Sequence, residues 1–398
     1  MWASLLDEPT VVVDGEEFDG EGIRWSLPTG DYSFAELRAS TDARWPMDEP
    51  AVLTVSKPGG LSRGIHDVTF VLRVRMSYIP EELGALDLDR EAEGGDRPMS
   101  TDNLPFGLGV SLYSYTEDLG VTMTVEDCIE DVADLGATGL EILGEGHIRD
   151  YPNPSTAWID AWFSGNERLG LTPTLYGSWL DTRRFPGRSM TVAEGAAQLE
   201  LDLRLAGRLG FSFLRPKIGV ISEDLRVDPI WADAVQRNLD LAAELGIVIC
   251  PEIHWPTVIK SPVVEEYLEF KERTGTEQFG LLIDTGVFDV QRYARRGGSA
   301  AFQMGTGSAR PPEVPFVPVS DLADVMEHVV YFQAKFYEVD DELVDHYIPW
   351  REILDVALDA GYSGWFSSEY EGHRELYRAP DQLRRQHALI RSIAAERA

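Results

Sequence analysis

Residues 247–254 read IVICPEIH, residues 279–286 FGLLIDTG, residues 329–336 VVYFQAKF and residues 364–370 GWFSSEY. Each is a short apolar run with one polar residue of interest: Glu252, Asp284, Gln333 and Glu369 in turn. Runs of this length, rich in Val, Ile, Leu and Phe and bounded by turn residues, predict strands buried on both faces. Four similar runs precede them, at 106–115, 138–143, 171–180 and 213–219. Amphipathic helix patterns such as VEDCIEDVADLG, AAQLELDLRLAGRLG and WADAVQRNLDLAAELG lie between most of the runs. Gly136, Gly170, Gly210, Gly246 and Gly361 end several helices just before the next strand, as left-handed helix stops do. Eight strands alternating with helices over residues 102–398 predict an α/β fold, a (β/α)8 TIM barrel.

The first 80 residues follow a different rhythm and predict a small all-β domain. VVVDGEEF carries the Asp14-Gly15 hairpin signal. GIRWSLPTGDYSFAEL and PAVLTVSKPGGL follow, and then a period-two strand through Val68, Phe70, Leu72, Val74 and Met76. Residues 81–101 turn acidic and Gly-rich and read as a linker. Met99 then resembles a protein start, which suggests a gene fusion. Residues 297–320, rich in Gly and Pro, read as a long insertion after the sixth strand and a candidate lid.

A net charge of -33 opposes binding to nucleic acid, which runs on Lys and Arg. No apolar run reaches 18 residues, so no membrane span is expected. Neither is a signal peptide, because MWASLLDEPTVVVDGEE has no basic region followed by an apolar one. The two cysteines, Cys128 and Cys250, read as buried thiols, which fits a cytoplasmic location.

In a barrel of this kind, residues at the carboxyl ends of the strands reach the substrate. An unpaired carboxylate in an apolar strand is costly to bury, and three of them converging would repel. A divalent cation is the usual way to hold such a set, and oxygen donors favour Mn²⁺ or Mg²⁺. Glu252, Asp284, Gln333 and Glu369 are therefore candidate metal ligands. The competing reading gives each carboxylate its own Arg or Lys. His254 shares a strand face with Glu252, and can be a ligand in place of Gln333 or a contact to metal ligand or substrate. His147, in EILGEGH after strand two, is a candidate general base, since imidazole titrates near neutrality. Lys217 can polarise a carbonyl, bind a hydroxyl or pair with a ligand carboxylate. Glu145, Tyr176, Trp179 and His373 are candidate substrate contacts, the aromatic rings suiting sugar faces or a flat aglycone.

Here the residues carry a family likeness. CPEIHW, LLIDTG and WFSSEYEG resemble the strand ends at which xylose isomerase-like barrels place a Glu, an Asp and a Glu around a divalent metal. The family's His on strand seven is replaced by Gln333. FGLGVSLYSYTEDLG and EILGEGHIRDYPNP resemble the catalytic α subunit of bacterial C-glycoside deglycosidases. VDGEEF, ARWPMDEPAVLTVSKPGGLSRGIHDV and MSYIP resemble the later part of the small β subunit of the same enzymes. The resemblance implies cleavage of the carbon–carbon bond of a 3-oxo-C-glycoside by C2 proton abstraction and β-elimination. It also implies His147 as the base and Glu252, Asp284, Gln333 and Glu369 around Mn²⁺ (or Mg²⁺). A homo-oligomer with the β domain packed on a barrel is expected.

Three other readings use the same residues. A sugar or inositol isomerase, epimerase or dehydratase shares proton abstraction beside a carbonyl. A barrel endonuclease shares the fold, but the acidic charge opposes it. A non-catalytic partner would retain the fold without the chemistry.

Overall fold

The computed structural model describes residues 3–6, 9–13, 15–18, 22–45, 51–57, 59–61, 68–71, 104–180, 185, 188–218, 226–255, 257–291, 317–373 and 375–397. The expected linker and most of the expected lid lie outside them, as do the side chains of Trp179 and Lys217.

Near the N-terminus, strands β1 (Thr10–Val13), β2 (Glu16–Phe18) and β6 (Val68–Val71) form one antiparallel sheet in the order β2-β1-β6. The pairing of Val13 with Glu16 closes the expected hairpin, and Gly15 sits at φ 83, open to Gly at little cost. A second antiparallel sheet orders β4 (Gly30–Ser33), β3 (Ile23–Leu27) and β5 (Val52–Val55). Alternate residues of β3 (Ile23, Trp25, Leu27) are buried and pack with Val11, Val13 and Phe18 of the first sheet. Among the described residues the departures from all-β are a 3-10 turn at Ala3–Leu5 and α1 (Phe34–Ala39), the latter started by a capping box between Ser33 and Glu36.

The barrel strands are β7 (Gly107–Ser111), β8 (Gly139–Leu143), β9 (Thr172–Leu180), β10 (Phe213–Ile218), β11 (Val248–Ile249), β12 (Glu252–Ile253), β13 (Leu281–Asp284), β14 (Val329–Phe336) and β15 (Trp365–Tyr370). All pairings among them are parallel. The sheet begins with β11 and ends with β12. These are two halves of the single run IVICPEIH, parted at Cys250-Pro251, where Pro251 has no N–H to give. The Cys250 N–H donates to Leu214 O at 2.9 Å, while the Leu282 N–H donates to Pro251 O at 3.2 Å. One run therefore joins β10 to β13, and the sheet closes on itself as an eight-stranded barrel.

Between the strands run α2 (Val125–Asp134), α3 (Gly144–His147), α4 (Thr156–Leu169), α5 (Val192–Arg208), α6 (Trp231–Gln236), α7 (Leu239–Leu245), α8 (Pro262–Thr274), α9 (Trp350–Asp359) and α10 (Arg378–Ala395). The run read as one helix at 231–246 breaks at Asn238 (φ -110, ψ 0), whose side-chain amide donates to the Ala234 and Ala196 carbonyls at 3.0 Å each. Among the described residues, no helix is long and apolar enough to cross a membrane.

The amino-terminal end of the barrel is filled by the Trp365 ring. A Cβ on Gly107 or Gly139 would come within 2.3 and 2.7 Å of it, so both positions must stay bare. Leu175, Cys250, Leu282 and Tyr331 complete this apolar layer. Polar residues are left for the opposite, carboxyl end.

His387 on α10 is wholly buried with its Nε2 2.9 Å from Ser368 Oγ, and burial pushes its pKa from 6.5 down to about 3. Between those values the unfolded chain takes up a proton that the folded chain refuses, so stability is full above pH 6.5 and falls as pH drops. The slope from this group is on the order of 1 kcal/mol per pH unit. Urea unfolding at pH 7 and pH 5 should show a loss that shrinks in His387→Gln; an identical loss in both proteins would remove His387 from this role.

Candidate active site

Parallel register brings the carboxyl ends of four consecutive strand runs together. Asp284 lies opposite Gln333, and Lys335 opposite Glu369. Glu252, Asp284 and Glu369 each offer a carboxylate oxygen within 4.8 Å of the others, a set that can hold a metal ion. Asp284 is aimed by its own turn: the Gly286 N–H donates to Oδ1 at 2.7 Å. Its Oδ2 faces Lys335 Nζ at 2.8 Å and His254 Nε2 at 3.9 Å.

Two cations are buried in the same cluster, and reading the sequence alone assigned a role to neither of them, Lys335 being noted only as a strand-end residue and Arg215 not at all. Arg215 on β10 reaches Glu252 at 3.1 Å and Glu369 at 4.0 Å. Lys335 on β14 touches Asp284, Glu369 (3.1 Å) and Glu371 (3.3 Å). The available signal was a charged residue alternating with apolar ones in FLRPKI and YFQAKF, since a buried charge needs a partner. Arg215 also depends on Gly177 opposite it in register, where a Cβ would stand 3.1 Å from its guanidinium.

The competing reading of the carboxylates, an Arg or Lys for each, therefore holds in part. Five carboxyl groups (Glu141, Glu252, Asp284, Glu369 and Glu371) face two cations, a formal deficit of 3 (5 minus 2) among the described residues. Burial pushes Glu141 up to about 7, against the pull of Arg215. Burial likewise raises Asp284 to about 7, against the pull of Lys335. Gln333 is wholly buried beside Asp284, and among the described residues neither its Oε1 nor its Nε2 finds a hydrogen-bond partner. A charge deficit next to an unsatisfied amide fits a bound divalent cation better than a self-sufficient ion-pair network.

The second group of expected residues follows β8. Glu145 and His147 are buried on the single turn of α3. The Leu143 N–H donates to His147 Nδ1 at 2.9 Å, so the neutral ring carries its proton on Nε2. Nε2 is buried with no partner among the described residues, and burial pushes the ring's pKa down to about 3. A nitrogen that already holds a proton donates rather than accepts. This hydrogen bond bears directly on the expectation of His147 as the base.

Tyr176 does not reach the mouth of the barrel. It is fully buried on the helix side, its ring edge-on to Phe211 (5.8 Å), and its hydroxyl donates to Asp202 of α5 at 3.1 Å. It is corrected from a substrate contact to a strut beneath α3. His373 is exposed in the loop after β15, where its carbonyl accepts from the Tyr370 hydroxyl at 3.1 Å. Lys217 and Trp179 lie opposite each other in register, at the ends of β10 and β9.

A model of the xylose isomerase-like TIM barrel family matches residues 129–393. The chain belongs to the xylose isomerase-like TIM barrel family. A model described as the C-glycoside deglycosidase beta subunit matches residues 1–78. The chain is 26% identical over 336 residues to the C-glycoside deglycosidase alpha subunit of Arthrobacter globiformis, spanning 73% of this chain and 92% of that protein. It is 34% identical over 93 residues to the beta subunit of Eubacterium cellulosolvens, 23% of this chain and 63% of that protein. This member of the xylose isomerase-like family thus joins in one chain what those relatives carry as separate subunits. A crystal structure of D-psicose 3-epimerase, determined in the presence of D-fructose, shares the fold. It has a TM-score of 0.50 and 17% identity, covering 73% of this chain and 99% of that one.

Gly144 opens the α3 turn, and a Cβ there would stand 1.9 Å from the Tyr176 hydroxyl and 2.2 Å from the ring carbon that bears it. Gly144→Ala must push a fully buried ring off Asp202, so a loss of about 1–3 kcal/mol is expected by denaturant unfolding. An unchanged midpoint would show that Tyr176 is not fixed there.

Proposed function

We propose that the chain is a metal-dependent carbon–carbon lyase that cleaves 3-oxo-C-glycosides. The observation that carries this reading is that both halves of the chain match deglycosidases, the barrel an alpha subunit and the N-terminal region a beta subunit. Glu252, Asp284, Glu369 and the Gln333 carbonyl would hold the ion, Mn²⁺ before Mg²⁺, with His254 in reserve for the fourth position. A divalent cation bound there supplies Lewis-acid polarisation of the oxygen at C3.

The C3 carbonyl acidifies the hydrogen on C2. A base takes that proton, and the C2–H electron pair becomes an enolate. The pair then returns to form C1=C2 as the bond from C1 to the aglycone breaks, and the aglycone leaves with a proton at its carbon. Glu145, a buried carboxylate two positions before His147, is assigned to take the C2 proton. His147 Nε2–H, fixed by the bond at Nδ1, is assigned to donate at the departing aglycone. Lys217, Trp179 and His373 are assigned to the sugar and aglycone.

Incubation with a 3-oxo-C-glucoside should release the free aglycone, seen by chromatography, and chelation followed by Mn²⁺ should abolish and restore it. Epimerised ketose without aglycone would transfer the site to the isomerases instead. In D₂O, Glu145→Gln should slow deuterium entry at C2 by about 10²–10⁴-fold, whereas His147→Asn should leave that exchange and slow aglycone release. Loss of C2 exchange in His147→Asn would return the base to His147.

A further inference from the structure

From the cluster's second half a role for the N-terminal domain can be drawn. The α3 turn and the loop after it, residues 144–153, carry Glu145 and His147. The loop includes Asp150 at φ 58, a left-handed conformation that a non-glycine residue adopts only when its surroundings hold it. The Tyr151 hydroxyl donates to Asp202 at 2.8 Å and accepts from Gln198 at 3.2 Å, which ties the loop to α5. The other face of this residue meets the N-terminal domain: the Arg44 guanidinium stands 4.1 Å from the Tyr151 ring centroid, within cation–π range.

Arg44 is itself held from behind on both sides. The carbonyl of the preceding residue, Ala43, accepts from the Ala3 N–H at 3.1 Å, and its N–H donates to Ser40 Oγ at 2.8 Å. The following residue, Trp45, packs edge-on to the wholly buried Trp25 at 6.0 Å. A long, flexible side chain is thus presented from a fixed base, and little further ordering is needed to seat it on the ring. Glu145 and Arg44 both act electrostatically on the Tyr151 phenol, in opposite directions, so the three groups share one neighbourhood.

We propose that Arg44 is a positioning residue, by which the N-terminal domain clamps Tyr151 and thereby fixes the turn that carries Glu145 and His147. The clamp rests on the lyase reading only for its effect on turnover; its mechanical part stands alone. The domain is then part of the working site, and its covalent fusion to the barrel keeps the clamp at high local concentration.

The test uses the full chain, with Arg44→Ala and, because Lys keeps the charge and the cation–π contact, Arg44→Lys. Hydrogen exchange followed by mass spectrometry should show residues 144–153 exchanging several-fold faster in Arg44→Ala, with the barrel strands unchanged. The kcat for aglycone release should fall about tenfold with KM within twofold, as expected for a small misplacement of reacting groups, and Arg44→Lys should recover most of both. Unchanged exchange in residues 144–153, or faster exchange with unaltered kcat, overturns the proposal. So does an equal fall in kcat and in thermal midpoint that Arg44→Lys does not repair. If the parent chain releases no aglycone, faster exchange still supports the clamp, and only the lyase reading fails.

Discussion

Carboxylates resist being buried together, and this chain brings Glu252, Asp284 and Glu369 within 4.8 Å of one another at the carboxyl end of a parallel barrel. At that separation, in a poorly solvated interior, their mutual repulsion has to be met by positive charge. Arg215 and Lys335 meet part of it, and the deficit that remains is the physical constraint on which the site is organised. The Gly177 opposite Arg215, the Asp284–Gly286 turn and the Lys335–Glu369 register all serve to bring these charges into one layer. The apolar layer around Trp365 and Tyr331 fills the other end.

Around this layer the two halves of the chain divide the work. The barrel strands fix the carboxylates, since strands in a closed sheet tolerate little displacement. The α3 turn is the less constrained part, a single helical turn supported by Tyr176, Asp202 and Tyr151 from the barrel side and by Arg44 from the other. Rigid strands for the charged cluster and a braced turn for Glu145 and His147 make an arrangement in which each group is held by packing rather than by its own preference.

Much of the barrel was legible in the sequence because it is written in local patterns. The run VVYFQAKF is β14 residue for residue, and every helix-stop glycine singled out has positive φ, from Gly136 to Gly361. Glu252, Asp284 and Glu369 stood out because carboxylates in apolar runs are anomalous wherever the strands lie. Pairwise facts were not legible. That Arg215 reaches Glu252, or that Lys335 bridges Asp284 and Glu369, depends on register between strands far apart in sequence, which no local pattern encodes. Tyr176 was misread because its direction, toward α5 rather than the mouth, follows from the strand's phase in the closed sheet. The position of His147 was visible, but the Leu143 N–H at its Nδ1 was not. The break at Asn238 hides within a continuous amphipathic pattern, which side-chain hydrogen bonds to Ala234 and Ala196 override.

The divalent cation proposed for the carboxylate layer can be tested directly. Equilibrium dialysis of the full chain against Mn²⁺, followed by elemental analysis, addresses it without reference to any reaction. A single ion per chain is predicted for the parent protein and none for Asp284→Asn at the same free Mn²⁺, with both proteins equally folded by circular dichroism. A parent chain that retains no ion, or an Asp284→Asn protein that retains as much as the parent, would contradict it.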